Sequence, residues 1–317
     1  MATVFVSSTL PGNAPERLAR AHDVVLGEGV GSAAFAACAD RVEAIVSVLT
    51  DRIDASLLAQ APRLRIVANV AVGVDNVALD ACRARGVVVT NTPDVLTEAT
   101  ADLSFGLLIA AARRIAEGDR IVRAGAFTGW TPTYLLGVSV FGMTLGILGL
   151  GRIGQAVARR ARGFGMRVLY TQRARHSEPI ERALGATFVP SVDDLLPLCD
   201  AVSIHCPLTE ETRHLFSHER LVRMKLGSVL VNTARGPIVD EAALARALRE
   251  GPLAAAGLDV FEDEPRVAPA LLACTNAVLA PHIGSADLRT RDAMATLAID
   301  NVLAVLAGHA AKTPVRS

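Results

Sequence analysis

Four charged residues in the second half of the chain lie at or just beyond the ends of predicted strands. Arg235 follows "SVLVNT", Asp259 lies in "AAAGLDV" with Glu264 shortly after it, and His282 follows "AVLAP". In open α/β sheets, ligands bind beyond the carboxyl ends of the strands. Each residue alone has an ordinary structural explanation, but four of them at one sheet edge predict a catalytic site.

The types of these residues suit hydride transfer to a keto acid. The guanidinium of Arg235 offers a fork of donors that can bind a carboxylate and polarise the neighbouring carbonyl. The imidazole of His282 can protonate a new alkoxide near neutral pH. A carboxylate behind it, which Glu264 would supply, keeps such a histidine protonated and oriented.

A turn that binds a dinucleotide is predicted where "TLGILGLGRIG" contains G-x-G-x-x-G. Gly149 allows the tight turn, Gly151 allows a pyrophosphate to approach the backbone, and Gly154 allows the helix to pack on the strand. The helix N-terminus then offers free N–H groups, and Arg152 adds a charged donor. The strand, the turn, the helix and the second strand occur in the order found in dinucleotide-binding domains, which distinguishes this motif from an ordinary glycine-rich loop.

The second strand of this unit is not followed by the usual acidic residue. After "RVLYT" the chain continues with Gln172, Arg173, Ala174 and Arg175. An Asp at the position of Gln172 would bind the ribose 2′-hydroxyl and repel a 2′-phosphate, whereas the arginines offer that phosphate charge-assisted hydrogen bonds. The pattern favours NADP over NAD by about tenfold to a hundredfold, unless the arginines form an ordinary solvated loop.

Strand-like and helix-like segments alternate over residues 3–98 and again over 144–284, which is typical of parallel sheets covered on both faces. A long helix is predicted from about Glu98 to Ala124, with Thr97 as its cap. A final amphipathic helix is predicted over about 286–307. The alternation predicts an α/β protein with two doubly wound parallel-sheet domains.

The composition argues against several classes of protein. The chain has 317 residues, of which 51% are hydrophobic, so it is long and apolar enough to fold into about two domains. Its 32 basic and 32 acidic residues cancel, so no nucleic-acid partner is expected. Five scattered cysteines show no metal-binding spacing and, without a secretory signal, fit the cytoplasm. The uncharged stretch 124–151 is rich in glycine, so no membrane span is expected.

The chain resembles the D-2-hydroxy-acid dehydrogenase family over nearly its whole length. The similar segments are "VAVGVDNVALD", "TPDVLTEATADLSFGLLIAAARR", "HCPLTEETRHLF", "VNTARGPIVDEAAL", "GLDVFEDEP" and "PHIGSADLRTRDAM". "LYTQR" and "HIGSADLRTR" are most similar to the glyoxylate/hydroxypyruvate reductases of that family. The resemblance implies a flavodoxin-like substrate-binding domain formed by residues 1–98 and 286–317, with a Rossmann domain of residues 99–285 inserted.

The resemblance also implies catalytic and substrate-binding roles. Arg235 would bind the carboxylate and carbonyl of the substrate, His282 would donate the proton in reduction, and Glu264 would pair with His282. Backbone N–H groups of Val72 and Gly73 would hold the carboxylate.

Further positions match the family's cofactor and aromatic residues. Asp259 would contact the nicotinamide carboxamide. Trp130 and Tyr134 fall where such reductases place aromatic residues near the substrate, partly across a homodimer, although they could equally be core or interface aromatics. The other implied cofactor-binding residues are Thr100, Gly149, Gly151, Arg152, Ile153, Gly154, Gln172, Arg173, Cys206, Pro207, Thr233 and Gly284.

The leading hypothesis is an NADPH-preferring reductase of small 2-keto acids to D-2-hydroxy acids, with glyoxylate and hydroxypyruvate as substrates. One alternative is a reductase of 2-ketogluconate or of many 2-keto acids. A phosphoglycerate dehydrogenase is a further alternative, although common versions carry a regulatory domain that is not found here. A dinucleotide-sensing, corepressor-like protein is the alternative from a different class, and the full set of catalytic residues argues against it.

Overall fold

The computed structural model describes residues 1–315, which form two compact units. One unit comprises Met1–Leu96 together with the chain from Ser285 onward, and the other comprises Thr97–Gly284. The domain boundaries expected from the sequence, with a substrate-binding domain of 1–98 and 286–317 and a Rossmann domain of 99–285, stay a prediction. Which ligand each unit binds stays a prediction.

The strands alternate with helices along most of the chain. The strands are β1 (Thr3–Val6), β2 (Asp23–Leu26), β3 (Val42–Ser47), β4 (Ile66–Asn69), β5 (Val88–Thr90), β6 (Thr144–Leu148), β7 (Arg167–Thr171), β8 (Ala186–Phe188), β9 (Ala201–Ile204), β10 (Ser228–Asn232), β11 (Leu253–Leu258) and β12 (Ala277–Leu279). The helices are α1 (Ala14–Ala21), α2 (Ala33–Ala36), α3 (Ala55–Gln60), α4 (Leu79–Ala84), α5 (Thr97–Ala112), α6 (Ile115–Arg123), α7 (Arg152–Gly163), α8 (Glu178–Leu184), α9 (Val192–Leu195), α10 (His218–Leu221), α11 (Glu241–Glu250), α12 (Pro269–Leu272) and α13 (Leu288–Leu306).

The split unit contains a five-stranded sheet of order β2-β1-β3-β4-β5, in which every pairing is parallel. This is the flavodoxin-like order. Alternate residues of β1 face opposite sides, so Phe5 packs against Phe35 with ring centroids 5.1 Å apart, while Val4 and Val6 pack with Ile299 of α13. The last helix therefore covers one face of the sheet that residues 3–90 build.

The central unit contains a seven-stranded parallel sheet of order β12-β11-β10-β9-β6-β7-β8. The order reverses between β6 and β9, as in a Rossmann fold, and ligands bind where such a reversal occurs. The prediction of two doubly wound parallel-sheet domains is confirmed. Strand β8 was not among the segments expected from the sequence.

The prediction of one long helix from Glu98 to Ala124 is wrong. The chain forms α5 and α6 instead, because Arg114 adopts a left-handed conformation with φ of 54° that interrupts the helix. The Arg114 guanidinium binds both carboxylate oxygens of Glu117 at 2.8 Å and stabilises the new start. Thr97 is the first residue of α5 rather than a residue before it.

The uncharged stretch 124–151 ends in strand β6 and the glycine turn. Across residues 1–315, no helix is both long and apolar enough to cross a membrane.

Candidate active site

Three neighbouring strands of the central unit bring the predicted catalytic residues to one edge of its sheet. Arg235, Asp259 and His282 follow β10, β11 and β12. Backbone hydrogen bonds join the ends of the strands, since the Asp259 N–H donates to the carbonyl of Asn232 (3.0 Å) and the His282 N–H donates to the carbonyl of Asp259 (2.9 Å). The three loops therefore lie side by side.

His282 and Glu264 form a hydrogen-bonded pair, with 2.8 Å between Nδ1 of the imidazole and Oε2 of the carboxylate. Burial alone would raise the pKa of Glu264, but the hydrogen bonds from His282 and from the Phe261 N–H, with the charge of Arg235, hold it below its usual value. Glu264 is therefore a carboxylate at neutral pH, so Nδ1 carries the hydrogen of this pair. Nε2 is the imidazole nitrogen left to meet a substrate.

Asp259 holds the loop that carries His282. Its side chain is fully buried, and its two oxygens accept the N–H groups of Ile283 and Gly284, each at 2.7 Å. Burial raises the pKa of Asp259 despite these hydrogen bonds. They support a left-handed His282 with φ of 54°, a conformation that costs free energy for a residue with a Cβ. The predicted contact of Asp259 with a nicotinamide carboxamide stays a prediction.

The loop that carries Arg235 is fixed by two residues that the sequence interpretation missed. The side chain of Asn232 accepts the Ala234 N–H at 3.0 Å and donates to the carbonyl of Arg235 at 2.9 Å. A Cβ at Gly236 would lie 1.9 Å from the carbonyl oxygen of Phe261, so only glycine allows the Arg235 loop to approach the loop that leads to the acid–base pair. "TARG" contains this glycine, but nothing in the sequence shows which chain segment it meets.

The glycine turn has the geometry that its spacing implies. Gly149 has φ of 89°, and a Cβ there would lie 2.8 Å from the carbonyl oxygen of His205. A Cβ at Gly154 would lie 2.2 Å from the carbonyl oxygen of Gly149, whereas one at Gly151 would meet nothing within 4 Å. Gly151 is the residue before α7, and because it has no side chain it does not cap the first turn of that helix. The turn therefore fits a dinucleotide phosphate, which binds in such an open space at a helix N-terminus.

Gly151→Ala is expected to leave the thermal unfolding midpoint of the free protein unchanged, because the new methyl group enters open space at an ordinary φ. The same methyl group would crowd a bound pyrophosphate, so the Kd for NADP⁺ should rise by about tenfold. Calorimetric titration measures this constant, and Gly163→Ala at the far end of α7 is the matched control. An unchanged Kd would contradict the placement of the pyrophosphate at Gly151.

Three of the other implied cofactor positions are brought together near the Asp259 loop. The Ser104 hydroxyl donates to the carbonyl of Thr100 (2.7 Å) and lies 2.6 Å from the hydroxyl of Thr233. A Cβ at Gly284 would lie 3.5 Å from Cγ2 of Thr100. Ser104 was not predicted, although its position one turn after Thr100 on the same helix face is a usable signal.

The remaining cofactor positions surround the turn. Arg152 and Ile153 form the first turn of α7, and Cys206 and Pro207 follow β9. Burial raises the pKa of the Cys206 thiol to about 12, so the thiol is neutral at physiological pH. Cys206 thus serves as a small neutral group rather than a nucleophile.

The segment after β7 differs from the expectation in one respect. Gln172 accepts the Leu150 N–H at 2.9 Å and is tied to the glycine turn. Arg173 is exposed and makes no hydrogen bond or ion pair with any residue of 1–315. Arg175, which the sequence offered to a 2′-phosphate together with Arg173, is paired instead with Glu181, to which its Nε and Nη2 donate at 2.9 and 2.7 Å. The sequence showed both charges but not that they pair.

In the split unit, two asparagines orient the turn that contains Val72 and Gly73. Nδ2 of Asn91 donates to the carbonyl of Val72 at 2.8 Å, and Nδ2 of Asn69 donates to the carbonyl of Gly73 at 3.0 Å. Neither asparagine was predicted, although both stand at strand ends. The role of the Val72 and Gly73 N–H groups stays a prediction.

Trp130 and Tyr134 lie in the exposed segment that follows α6. The rings of Tyr134 and Phe127 are 6.0 Å apart. Trp130 is 77% exposed and makes no hydrogen bond or ring contact within the described part of the chain. Within that part they do not join the Arg235, Glu264 and His282 site, and their substrate role stays a prediction.

The model of the "D-isomer specific 2-hydroxyacid dehydrogenase, NAD binding domain" family matches residues 105–284. This match covers more than half of the chain, and it contains the glycine turn, Arg235, Glu264 and His282. The fold, the site and the match agree, so the chain belongs to the D-isomer-specific 2-hydroxyacid dehydrogenase family. Its central unit is a nicotinamide dinucleotide-binding domain.

Individual relatives extend the similarity to almost the whole chain. The glyoxylate reductase of Pyrococcus horikoshii is 51% identical over 278 residues, which are 86% of this chain and 83% of that protein. The glyoxylate reductase of Korarchaeum cryptofilum is 49% identical over 312 residues, or 96% and 93% of the two chains. The NADPH-dependent glyoxylate/hydroxypyruvate reductase of Sinorhizobium meliloti, solved with NADP and malonate, superposes with a TM-score of 0.90 at 38% identity, covering 99% and 96%.

Proposed function

We propose that this protein is an NADPH-preferring reductase that converts small 2-keto acids to D-2-hydroxy acids, with glyoxylate and hydroxypyruvate as its main substrates. The observation that carries the proposal is the hydrogen-bonded His282–Glu264 pair on strand ends next to Arg235. The names of the relatives from Pyrococcus, Korarchaeum and Sinorhizobium support the choice of substrates.

In the proposed reaction, the guanidinium of Arg235 binds the substrate carboxylate and its keto oxygen and stabilises the negative charge that grows on that oxygen. NADPH supplies the hydride that adds to the keto carbon. Nε2 of His282 donates a proton to the keto oxygen, which becomes the hydroxyl group. Glu264 keeps the imidazole oriented through Nδ1 and stabilises its positive charge before the proton leaves. In the split unit, the N–H groups of Val72 and Gly73 are proposed to bind the carboxylate.

The preference for NADPH is proposed to depend on Arg173 and on the absence of an acid at Gln172. Arg173→Ala should raise the Kd for NADP⁺ by about tenfold, because a charge-assisted contact with the 2′-phosphate is lost, and should leave the Kd for NAD⁺ nearly unchanged. Both constants are measured by calorimetric titration. Arg182→Ala is the control, because it removes an exposed arginine that lies on α8 rather than in the segment after β7. Equal changes for the two dinucleotides would show that Arg173 does not read the 2′-phosphate.

A homodimer in the cytoplasm completes the proposal. The segment with Phe127, Trp130, Leu136 and Phe141 exposes large apolar side chains, which monomeric surfaces usually avoid in such number. A second copy of the chain would cover them. All five cysteines are free thiols, which fits a reducing compartment.

The substrate proposal is tested by initial rates with glyoxylate, hydroxypyruvate, 2-ketogluconate and phenylpyruvate, each with NADPH and with NADH. Glyoxylate and hydroxypyruvate should have the highest kcat/KM, with NADPH as the better donor. Faster reduction of 2-ketogluconate would instead support the alternative function, that of a 2-ketogluconate reductase. A preference for NADH would contradict the role given to Arg173.

A further inference from the structure

Glu181 on α8 is a nearly buried carboxylate beside the segment that follows β7. Its side chain is 8% exposed and accepts three hydrogen bonds, one from the hydroxyl of Tyr170 at 2.7 Å and two from the guanidinium of Arg175 at 2.7 and 2.9 Å. These hydrogen bonds lower the pKa of Glu181 to about 2, with that of Arg175 as the main cause. Glu181 is therefore a carboxylate under all conditions in which the protein works, and it cancels the charge of Arg175.

The same cluster holds the segment against the glycine turn. The N–H of His176 donates to the hydroxyl of Tyr170 at 2.9 Å, and Nε2 of His176 lies 2.8 Å from the carbonyl oxygen of Leu150. Since a carbonyl oxygen only accepts, Nε2 carries the hydrogen. We call Tyr170, Arg175, His176 and Glu181 the clasp. It connects the start of α8 to the middle residue of the glycine turn.

We propose that Glu181 sets the strength of the NADP preference by withholding Arg175, so that Arg173 is the only cation of this segment offered to a 2′-phosphate. The proposal rests on the proposed function, because it assumes that the dinucleotide lies along the glycine turn. The 2′-phosphate has a charge of about −2, so the affinity for NADP⁺ changes with each neighbouring charge that is added or removed. Glu181 is thus a specificity-determining residue that acts through Arg175.

Three variants separate a charge effect from a structural one. Glu181→Gln keeps an acceptor for Tyr170 but leaves Arg175 uncompensated, so the ratio of the Kd for NAD⁺ to that for NADP⁺ should rise by about threefold to fivefold. The guanidinium carbon of Arg175 lies 6.0 Å from the centroid of the Phe188 ring. Arg175→Met keeps an unbranched side chain beside this ring but leaves Glu181 uncompensated, so the ratio should fall by a similar factor. The double variant has no net change of charge and should keep the ratio within about twofold of the wild type.

The measurement is calorimetric titration of each protein, free of substrate, with NADP⁺ and with NAD⁺, together with its thermal unfolding midpoint. Opposite shifts in the two single variants and restoration in the double variant support the proposal. If the Kd values for both dinucleotides change by the same factor, the clasp only supports the structure, and the proposal is overturned. A double variant that loses as much NADP⁺ affinity as Arg175→Met would show that Arg175 itself binds the phosphate, which also overturns it.

Two further outcomes are separated by the design. If Glu181→Gln does not fold, Arg175→Met and the double variant still test whether Glu181 acts through Arg175. The double variant is expected to fold because it contains no unpaired buried charge. If the wild type binds NAD⁺ better than NADP⁺, the cofactor preference in the proposed function is wrong. The direction of the shifts would still test the clasp in that case.

Discussion

His282→Ala is expected to lower kcat for reduction of glyoxylate by at least about a hundredfold, because the proton that completes the hydroxyl group then has no positioned donor. The Kd for NADP⁺ should not change, since the imidazole pairs with Glu264 and is not part of the glycine turn. Steady-state rates and calorimetric titration of the same preparation give the two quantities. The effect belongs in kcat because the proton is transferred only in the transition state.

Two further variants test whether the loss of kcat comes from the His282–Glu264 pair itself. Glu264→Gln keeps a hydrogen-bond acceptor for Nδ1 but removes the negative charge beside the imidazole, so kcat for reduction should fall while the Kd for NADP⁺ stays unchanged. His218→Ala removes an exposed histidine of α10 and should leave kcat unchanged. An unchanged kcat in His282→Ala would remove this residue from the mechanism.

Arg235→Met should lower kcat/KM by about a thousandfold, because in the proposed reaction this one side chain supplies both the carboxylate contact and the charge that stabilises the keto oxygen. Both kcat and KM should change, since the first contact exists in the ground state and the second grows toward the transition state. Initial rates over a range of glyoxylate concentrations separate the two parameters.

Arg235→Lys tests whether the shape of the guanidinium is needed in addition to its charge. A single ammonium group cannot form two parallel hydrogen bonds with a carboxylate, so this variant should recover only part of the loss. Arg246→Met on α11 removes an exposed arginine and serves as the control. A KM and kcat equal to those of the wild type in Arg235→Met would contradict its assignment.

Much of the fold could be predicted because its signals are local. A β-branched apolar segment followed by a glycine turn determines β6 and α7 within about ten residues, and Gly149, Gly151 and Gly154 then have the geometry that their spacing implies. The edge with Arg235, Asp259 and His282 could also be predicted, since parallel strands place their carboxyl ends on one side.

The contacts between distant segments could not be predicted. Gly236 is required only because the chain near Phe261 approaches it, and no short-range pattern contains both positions. Arg175 looked available although its partner Glu181 is only six residues away, because the contact between α8 and Tyr170 that places Glu181 there is not visible in the sequence. The break between α5 and α6 was missed for a similar reason, since the contacts that stabilise Arg114 in a left-handed conformation include the carbonyl of Leu136.

The configuration of the glycerate made from hydroxypyruvate and NADPH decides whether this protein is a D-2-hydroxy-acid-forming reductase. We expect D-glycerate, with one molecule formed for each NADPH consumed, and loss of this reaction in His282→Ala. Formation of L-glycerate would contradict the substrate orientation that membership of the D-isomer-specific family implies. Tight binding of NADPH without reduction of hydroxypyruvate, glyoxylate or any other 2-keto acid would contradict the enzymatic function itself.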